Sequence, residues 1–423
     1  MSNTYLILYI LAWLITFIVY QRKHQQLDAG SVIIVSYIGF AICSLILFNS
    51  PVRYYRFNEL TLFPFMYLFI MLLIALSPVL RFNSKLATSI APPNITIFNA
   101  ISWIVIISAI LSIPALIEQL LNGQFLMLFA DETAGHDMYL ESIDNAEDAG
   151  SGIAHIPNII FNAFSDVTIL LFFYALTMPK RNKLMTYGLG LALIVALISP
   201  LLSGLRTQTT IAVFSMIVAY FLVRPYLSQS VRHIARAFGI FVLVISFIPI
   251  AAITISRFGD RDGGAQSSVL FYAGQANLNF NNYGLDNNGI RYGDRTFNIV
   301  KRLYDPNTPS NYVERRDKYP HLYIDDYYFY TFVGDFTLDF GPWIAALIII
   351  CFSIYVNRRT KIYNDKIAFH QLILIFLVAC ICVQGGMYLF SYSDTAGLKL
   401  IVFILLYYIF RLTHREPIEE SNN

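Results

Sequence analysis

PLLSGLRTQTTIAVFSMIVAYFLV, residues 200–223, is apolar almost throughout, yet it holds Arg206. The run is long enough to cross a bilayer, which takes about 17–25 mostly apolar residues. A charge surrounded by lipid at the centre of such a span costs at least a few kcal/mol. Either Arg206 snorkels to an interface and anchors the turn before the helix, or it turns inward and holds an anion. A phosphate suits the second case, because a guanidinium grips it with two parallel hydrogen bonds. Arginines in such positions usually face the interior of a helix bundle.

The rest of the chain repeats the pattern. Of 423 residues, 57% are hydrophobic and 13% charged, about half the charge of a soluble domain. Eleven apolar runs begin near Thr4, Ser31, Leu60, Ile95, Ile156, Leu184, Thr207, Ala237, Thr331, Ile367 and Ala396. The first has no basic residue before it and no small-residue cleavage pattern after it, so it reads as a retained helix. The expected fold is an all-α polytopic membrane protein of about 11 transmembrane helices, a single integral domain over residues 1–423, with one long structured outer loop.

Orientation follows from Lys and Arg, which gather on cytoplasmic loops. With the N-terminus outside and the C-terminus inside, the inner segments hold 16 of the 29 basic residues. The short outer loops hold Arg53, Arg56, Arg206 and Lys399, and the other nine lie in one long loop. The four cysteines fall inside apolar spans without metal-like spacing and read as small core residues.

Two outer segments break the rhythm of short connections. Residues 118–155 carry eight acidic side chains and no Lys or Arg; "DETAGHD" within them could recruit a cation or simply be solvated. Residues 257–327 mix nine basic and nine acidic residues with eight tyrosines and nine asparagines. Phe297, Val300 and Tyr304 fall on one helical stripe beside Lys301 and Arg302, as in a short amphipathic helix lying on a membrane or capping a cavity.

The polar candidates cluster on this outer side. Arg257 ends the eighth run at a depth comparable with Arg206, and two arginines there would neutralise a pyrophosphate. Arg291 and Arg295, four residues apart, could share a helix face, with Asp294 as an ordinary partner. "ERRDKY", residues 314–319, reads as a solvated face. Asp335 and Asp339 sit one helical turn apart at the start of the ninth run, below His321, Asp325 and Asp326. A carboxylate or imidazole at a dry cavity mouth could serve as general base, although capping is the commoner role. The tyrosines and asparagines of "YAGQANLNFNNYGLDNNGIRY" suit carbohydrate, rings stacking on sugars and carboxamides bonding hydroxyls, or else an ordinary polar loop. No P-loop, GxSxG or HExxH occurs, and nothing suggests nucleic acid.

"SGLRT" between two apolar helices, an arginine ending the next helix, a long outer loop, and "YTFVGDFTLDFG" opening the following helix together resemble the bacterial oligosaccharide repeat-unit polymerases of O-antigen and capsule synthesis. The resemblance covers roughly residues 190–345 and implies a metal- and cofactor-independent glycosyltransferase of the inner membrane. Its substrate would be a polyprenyl-pyrophosphate-linked oligosaccharide, its surroundings membrane lipid, and a chain-length regulator protein a further partner. On this reading Arg206, Arg257 and Arg291 bind pyrophosphate, His321 or Asp326 is the base, and Tyr272, Asn279, Tyr283, Tyr330 and Asp335 contact glycan. The related ligases carry a histidine near the end of the long loop, where this chain has "IDDYYFYT". A flippase of lipid-linked sugars and an O-antigen ligase are the rival expectations. A transporter would favour internal symmetry and a midplane site, and this sequence shows neither.

Overall fold

The computed structural model describes residues 1–51, 57–83, 86–121, 156–258, 264–310, 312–324, 326–389 and 394–414. The acidic stretch "DETAGHD" and most of residues 118–155 lie outside them. Each of the eleven apolar runs forms a helix: α1 (Ser2–His24), α2 (Ala29–Phe48), α3 (Leu62–Arg81), α4 (Ile95–Leu121), α5 (Ile156–Ala175), α6 (Lys183–Leu202), α7 (Arg206–Val223), α8 (Gln229–Phe258), α12 (Thr331–Arg359), α13 (Phe369–Gly385) and α14 (Asp394–Leu412). Among the described residues, nine helices are long and apolar enough to cross a membrane, and α13 is a shorter apolar helix. The architecture is all-α and membrane-embedded, apart from a parallel pair of three-residue strands, β1 (Ser89–Ala91) and β2 (Lys366–Ala368), which ties two loops together.

The helices form because their polar groups are hidden locally. Ser36, Ser44, Ser108, Thr168 and Thr210 each donate to the carbonyl four residues earlier, which satisfies these hydroxyls within their own helix. Nearly every residue of α13 is buried, and it packs against α2, α3, α5, α7, α12 and α14. It is the central post, which explains why it is apolar on every side. By contrast α1 and α8 leave Ile15, Val19 and Phe247 bare, a surface suited to lipid.

The sequence reading misses one large element. Residues within 257–327, expected as loop, include α9 (Gly264–Tyr283), a 20-residue helix. Its asparagines made it look like loop; in the structure each finds a distant partner. Asn277 donates to Ser44 Oγ (3.0 Å), Asn279 to the Phe329 carbonyl (2.9 Å) and Asn281 to the Thr61 carbonyl (2.8 Å). Gly274 lets α9 lie directly on α2, for a Cβ there would stand 2.7 Å from the Cys43 carbonyl oxygen. After α9 come two short helices, α10 (Asn298–Arg302) and α11 (Tyr312–Lys318), and the loop leading into α12. These segments gather at one end of the bundle as a crown.

Gly274→Val should push α9 off α2 and cost about 1–3 kcal/mol or more, as overpacking does. A melting temperature in detergent equal to the parent's would contradict this seat.

Candidate functional site

Two polar features lie under the crown, one at the mouth of a groove and one inside the crown itself. The groove is an apolar cavity of about 660 Å³ between α2, α7, α8, α9 and α13, within the range of about 300–1,000 Å³ for ligand pockets. Along α2 its wall runs from Ser31 to Cys43, about 18 Å at 1.5 Å per residue. Val32, Ser36, Gly39 and Cys43, at helical spacing, form a low wall. Val35 and Phe214, 50% and 39% exposed, mark where the groove meets the bundle's outer surface.

Among the described lining residues one is charged, Arg206 at the crown end. Its placement is local chemistry. α6 closes with Gly204 at φ 68°, a left-handed position that glycine adopts without steric cost. The Leu205 amide reaches back to the Pro200 carbonyl (2.8 Å) and the Gly204 amide to that of Leu201 (3.0 Å), the closure that commonly ends a helix. Arg206 thereby becomes the first residue of α7, at the positive end of that helix's dipole. Its side chain is 7% exposed, and its guanidinium carbon lies 4.9 Å from the Tyr272 ring centre. Tyr272 meets Phe329 edge-on at 5.5 Å, and Phe329 meets Tyr388 at 4.9 Å.

On the other side of that aromatic wall lies a buried ionic hub. Arg291, Arg295 and Arg315 converge with Asp326, Asp335, Asp339 and Tyr330, all at most 9% exposed. Asp326 is bound by Arg291 and by Arg315, with Arg295 at 3.4 Å and the Tyr330 hydroxyl donating at 3.0 Å. Arg291 reaches Asp339 at 2.8 Å, and Arg295 reaches Asp335 at 2.5 Å. Asp339 also accepts from the Thr296 amide and hydroxyl, both at 2.8 Å. Asp335 also accepts from the Leu389 amide at 2.5 Å. The two arginines lie over the Tyr330 ring at 5.7 and 5.6 Å. Beside the hub, Asp294 takes Lys301, Lys318 (2.8 Å) and the Tyr319 hydroxyl (2.7 Å).

Burial alone would raise the Asp326 carboxyl, but the three guanidiniums outweigh it and hold it well below the usual carboxylate range. Burial likewise opposes Asp294, whose bonds from Lys301, Lys318 and Tyr319 still lower it. For Arg291, burial works against the charge while Asp326, Tyr330 and Asp339 raise it further above its ordinary value.

The structure separates the sequence candidates. It brings Arg206 and Tyr272 together in the groove. Arg291 points instead into the hub, committed to Asp326 and Asp339, because the turn at Tyr292 (φ 53°) and Gly293 (φ 80°) replaces the helix expected across residues 291–295. Asp326 is Arg-locked and 2% exposed, which makes it a poor proton acceptor. Tyr330 and Asp335 are fully buried hub members, and Asn279 is fully buried under Phe329, so none of the three presents a surface to a sugar. Tyr283 is half-buried near Tyr323, with Asn58 donating to its hydroxyl at 3.4 Å. His321 is exposed on the crown, its carbonyl accepting from Asn288. Arg257 lies in the last turn of α8, and its side chain is outside the described residues, as is Asp325. Arg315, read as part of a solvated face, is 2% exposed in the hub.

The aromatic wall was missed: Phe329 and Tyr388 sit in different segments, and nothing local links them. The small-residue face of α2 was missed too, although the spacing of Val32, Ser36, Gly39 and Cys43 carries its signal. No known family model, curated protein or solved structure matches the chain.

Removing one side of a buried ion pair leaves the other charge stranded, at about 3–5 kcal/mol. Asp326→Ala should therefore destabilise the crown by roughly that amount, read as a lower melting temperature and faster proteolysis between α9 and α12. Asp326 and Asp294 have depressed native pKa values. Their stabilisation is present above the unfolded carboxylate value of about 4 and is lost as pH falls below it. Thermal stability should not fall between pH 8 and 5 and should drop below about pH 4. A drop already between pH 7 and 5 would contradict the assignment.

Proposed function

We propose that the protein is an oligosaccharide repeat-unit polymerase, joining polyprenyl-pyrophosphate-linked repeat units into surface polysaccharide. In this reading eleven helices span a bacterial cytoplasmic membrane, the N-terminus and crown face the periplasm, and the C-terminus faces the cytoplasm. The observation that carries the proposal is the apolar groove ending on one buried arginine. Such a site fits a ligand that is apolar along its length and anionic at one end. The basic side chains Arg22, Lys23, Lys180, Arg181, Arg358 and Arg359, at helix ends remote from the crown, support the orientation.

The chemistry follows from the groove. A polyprenyl tail lies against α2 and α7, and its pyrophosphate meets Arg206 and the amides that open α7. A sugar hydroxyl of the second lipid-linked unit attacks the anomeric carbon of the growing glycan and gives its proton to a base. The bond from that carbon to the pyrophosphate oxygen breaks, and polyprenyl pyrophosphate leaves with the electron pair. Arg206 stabilises the charge gained on departure, and Arg257, at the end of α8, is the second cation of the proposal. Tyr272 holds the guanidinium plane from below rather than a sugar. With Asp326 locked by arginines, His321 is the remaining candidate base.

Arg206→Ala should abolish polymer chains longer than one repeat unit while single units still reach the surface, read on a gel of surface polysaccharide. Arg206→Lys should also fail, since an ammonium cannot make the two-pronged contact. Normal long chains in both variants would refute the role. Units trapped on the face opposite the crown would mark a flippase instead, and full-length polymer left unjoined to its final lipid a ligase. Gly39 offers an independent test, for a Cβ there meets nothing within 4 Å. Gly39→Trp should fold with an unchanged melting temperature yet fill the groove and stop elongation.

A further inference from the structure

α12 measures where the protein leaves the crown and enters apolar surroundings. From Thr331 to Asp339 nearly every residue is buried, and Phe340 is half-buried. At Gly341 (φ 77°) and Pro342 the helix breaks direction. Directly afterwards Trp343 is 85% exposed, followed by Ile344 and Leu347 on the bare face of the span. Tryptophan concentrates where bilayer and water meet, its ring apolar and its N–H able to bond headgroups. Trp343 therefore marks the crown-side membrane boundary.

The stripe that begins at Phe297 starts beside that boundary. The Phe297 ring lies 6.2 Å from Phe336 and 5.8 Å from Phe340, the latter three residues before Trp343. On its other side α10 rests on the first turns of α14, with Ile299 so close to Gly397 that a Cβ there would be 2.7 Å from it. Held between two helix ends, α10 turns Val300 (48%), Leu303 (84%) and Tyr304 (74%) outward. A leucine left in water forgoes the gain that burial would bring. Lys301 and Arg302 flank this stripe; on α11 exposed Arg316 and Lys318 follow, interleaved with exposed Glu314 and Asp317, and both lysines pair with Asp294.

We propose that α10 and the turn after it dip into the crown-side leaflet, with Val300, Leu303 and Tyr304 at the boundary between headgroups and acyl chains. The occupant of the patch is bilayer lipid, because the patch continues the bare face of α12 at the level of Trp343. Lys301 carries the anchoring inward: its ammonium holds Asp294, which also takes Lys318 and Tyr319. The leaflet thus sets the height of the crown over the groove, whatever chemistry the groove performs.

A spin label tests this on the full chain in nanodiscs of phosphatidylethanolamine and phosphatidylglycerol. Cys43 and Cys351 are first replaced by Ser, and the label is attached through Leu303→Cys. Leu303 is mostly exposed, so the substitution leaves the core intact, and Tyr323→Cys, at a residue 62% exposed on the crown, serves as the aqueous reference. The Leu303→Cys label should collide several-fold more with oxygen, which partitions into lipid, than with a water-soluble nickel chelate; the Tyr323→Cys label should show the reverse. A nickel-accessible label at both positions would overturn the proposal. So would a label at position 303 shielded from both reagents, since protein rather than lipid would then cover the patch.

Discussion

Three buried guanidiniums and three buried carboxylates meet under the crown, and the arrangement of everything around them depends on that meeting. Moving a single charge into such a setting is costly by several kcal/mol even after relaxation. The cost is offset only when each ion has both opposite charge and hydrogen bonds. Here Asp326 has Arg291, Arg315, Arg295 and Tyr330, while Asp339 has Arg291 and Thr296, and Asp335 has Arg295 and the Leu389 amide. The partners come from the turn after α9, from α11, from α12 and from the segment after α13. Separating any one of these strands a charge, so the crown folds as one body.

The same demand places the groove. Phe329 lies between Tyr272 and Tyr388, its amide bonded to Gln275 and its carbonyl to Asn279. Two residues on, Thr331 adopts φ 68° while fully buried, a conformation that costs a β-branched residue of order 1–3 kcal/mol. Its amide bonds the Met387 carbonyl at 2.8 Å and its hydroxyl accepts from the Gly334 amide at 3.2 Å. The strain is carried where crown, α12 and the end of α13 join, one aromatic ring away from the ring that Arg206 covers. Burial pushes the Tyr388 phenol up, and the charges of Arg295 and Asp335 reach it there. Groove mouth and hub therefore share a wall, and a ligand that moved Tyr272 would press on the packing that holds the hub.

Membrane character, the eleven apolar runs and the inward turn of Arg206 were legible because each depends on a stretch of chain and its surroundings in lipid. A run of about 20 apolar residues has few alternatives to a helix where no water can satisfy its backbone. Gly204 is legible in the same way, as a turn written into "SGLR". The candidate site was half legible. Arg206 with Tyr272 was within reach, whereas Arg291, Asp326, Tyr330 and Asp335 were assigned to ligands and instead satisfy one another.

The sequence by itself determined that its apolar runs form helices, since hydropathy and turn chemistry act over a few residues. Only the tertiary structure decided which charges face the groove and which face each other. Asn277 in α9 and Arg315 in α11 look solvated in the chain and are buried in the fold. The difference is a partner 11 residues away for Arg315 and 233 residues away for Asn277. An opposite charge or acceptor at 3 Å decides whether a buried polar group is tolerable, and that distance is a property of packing, not of order along the chain.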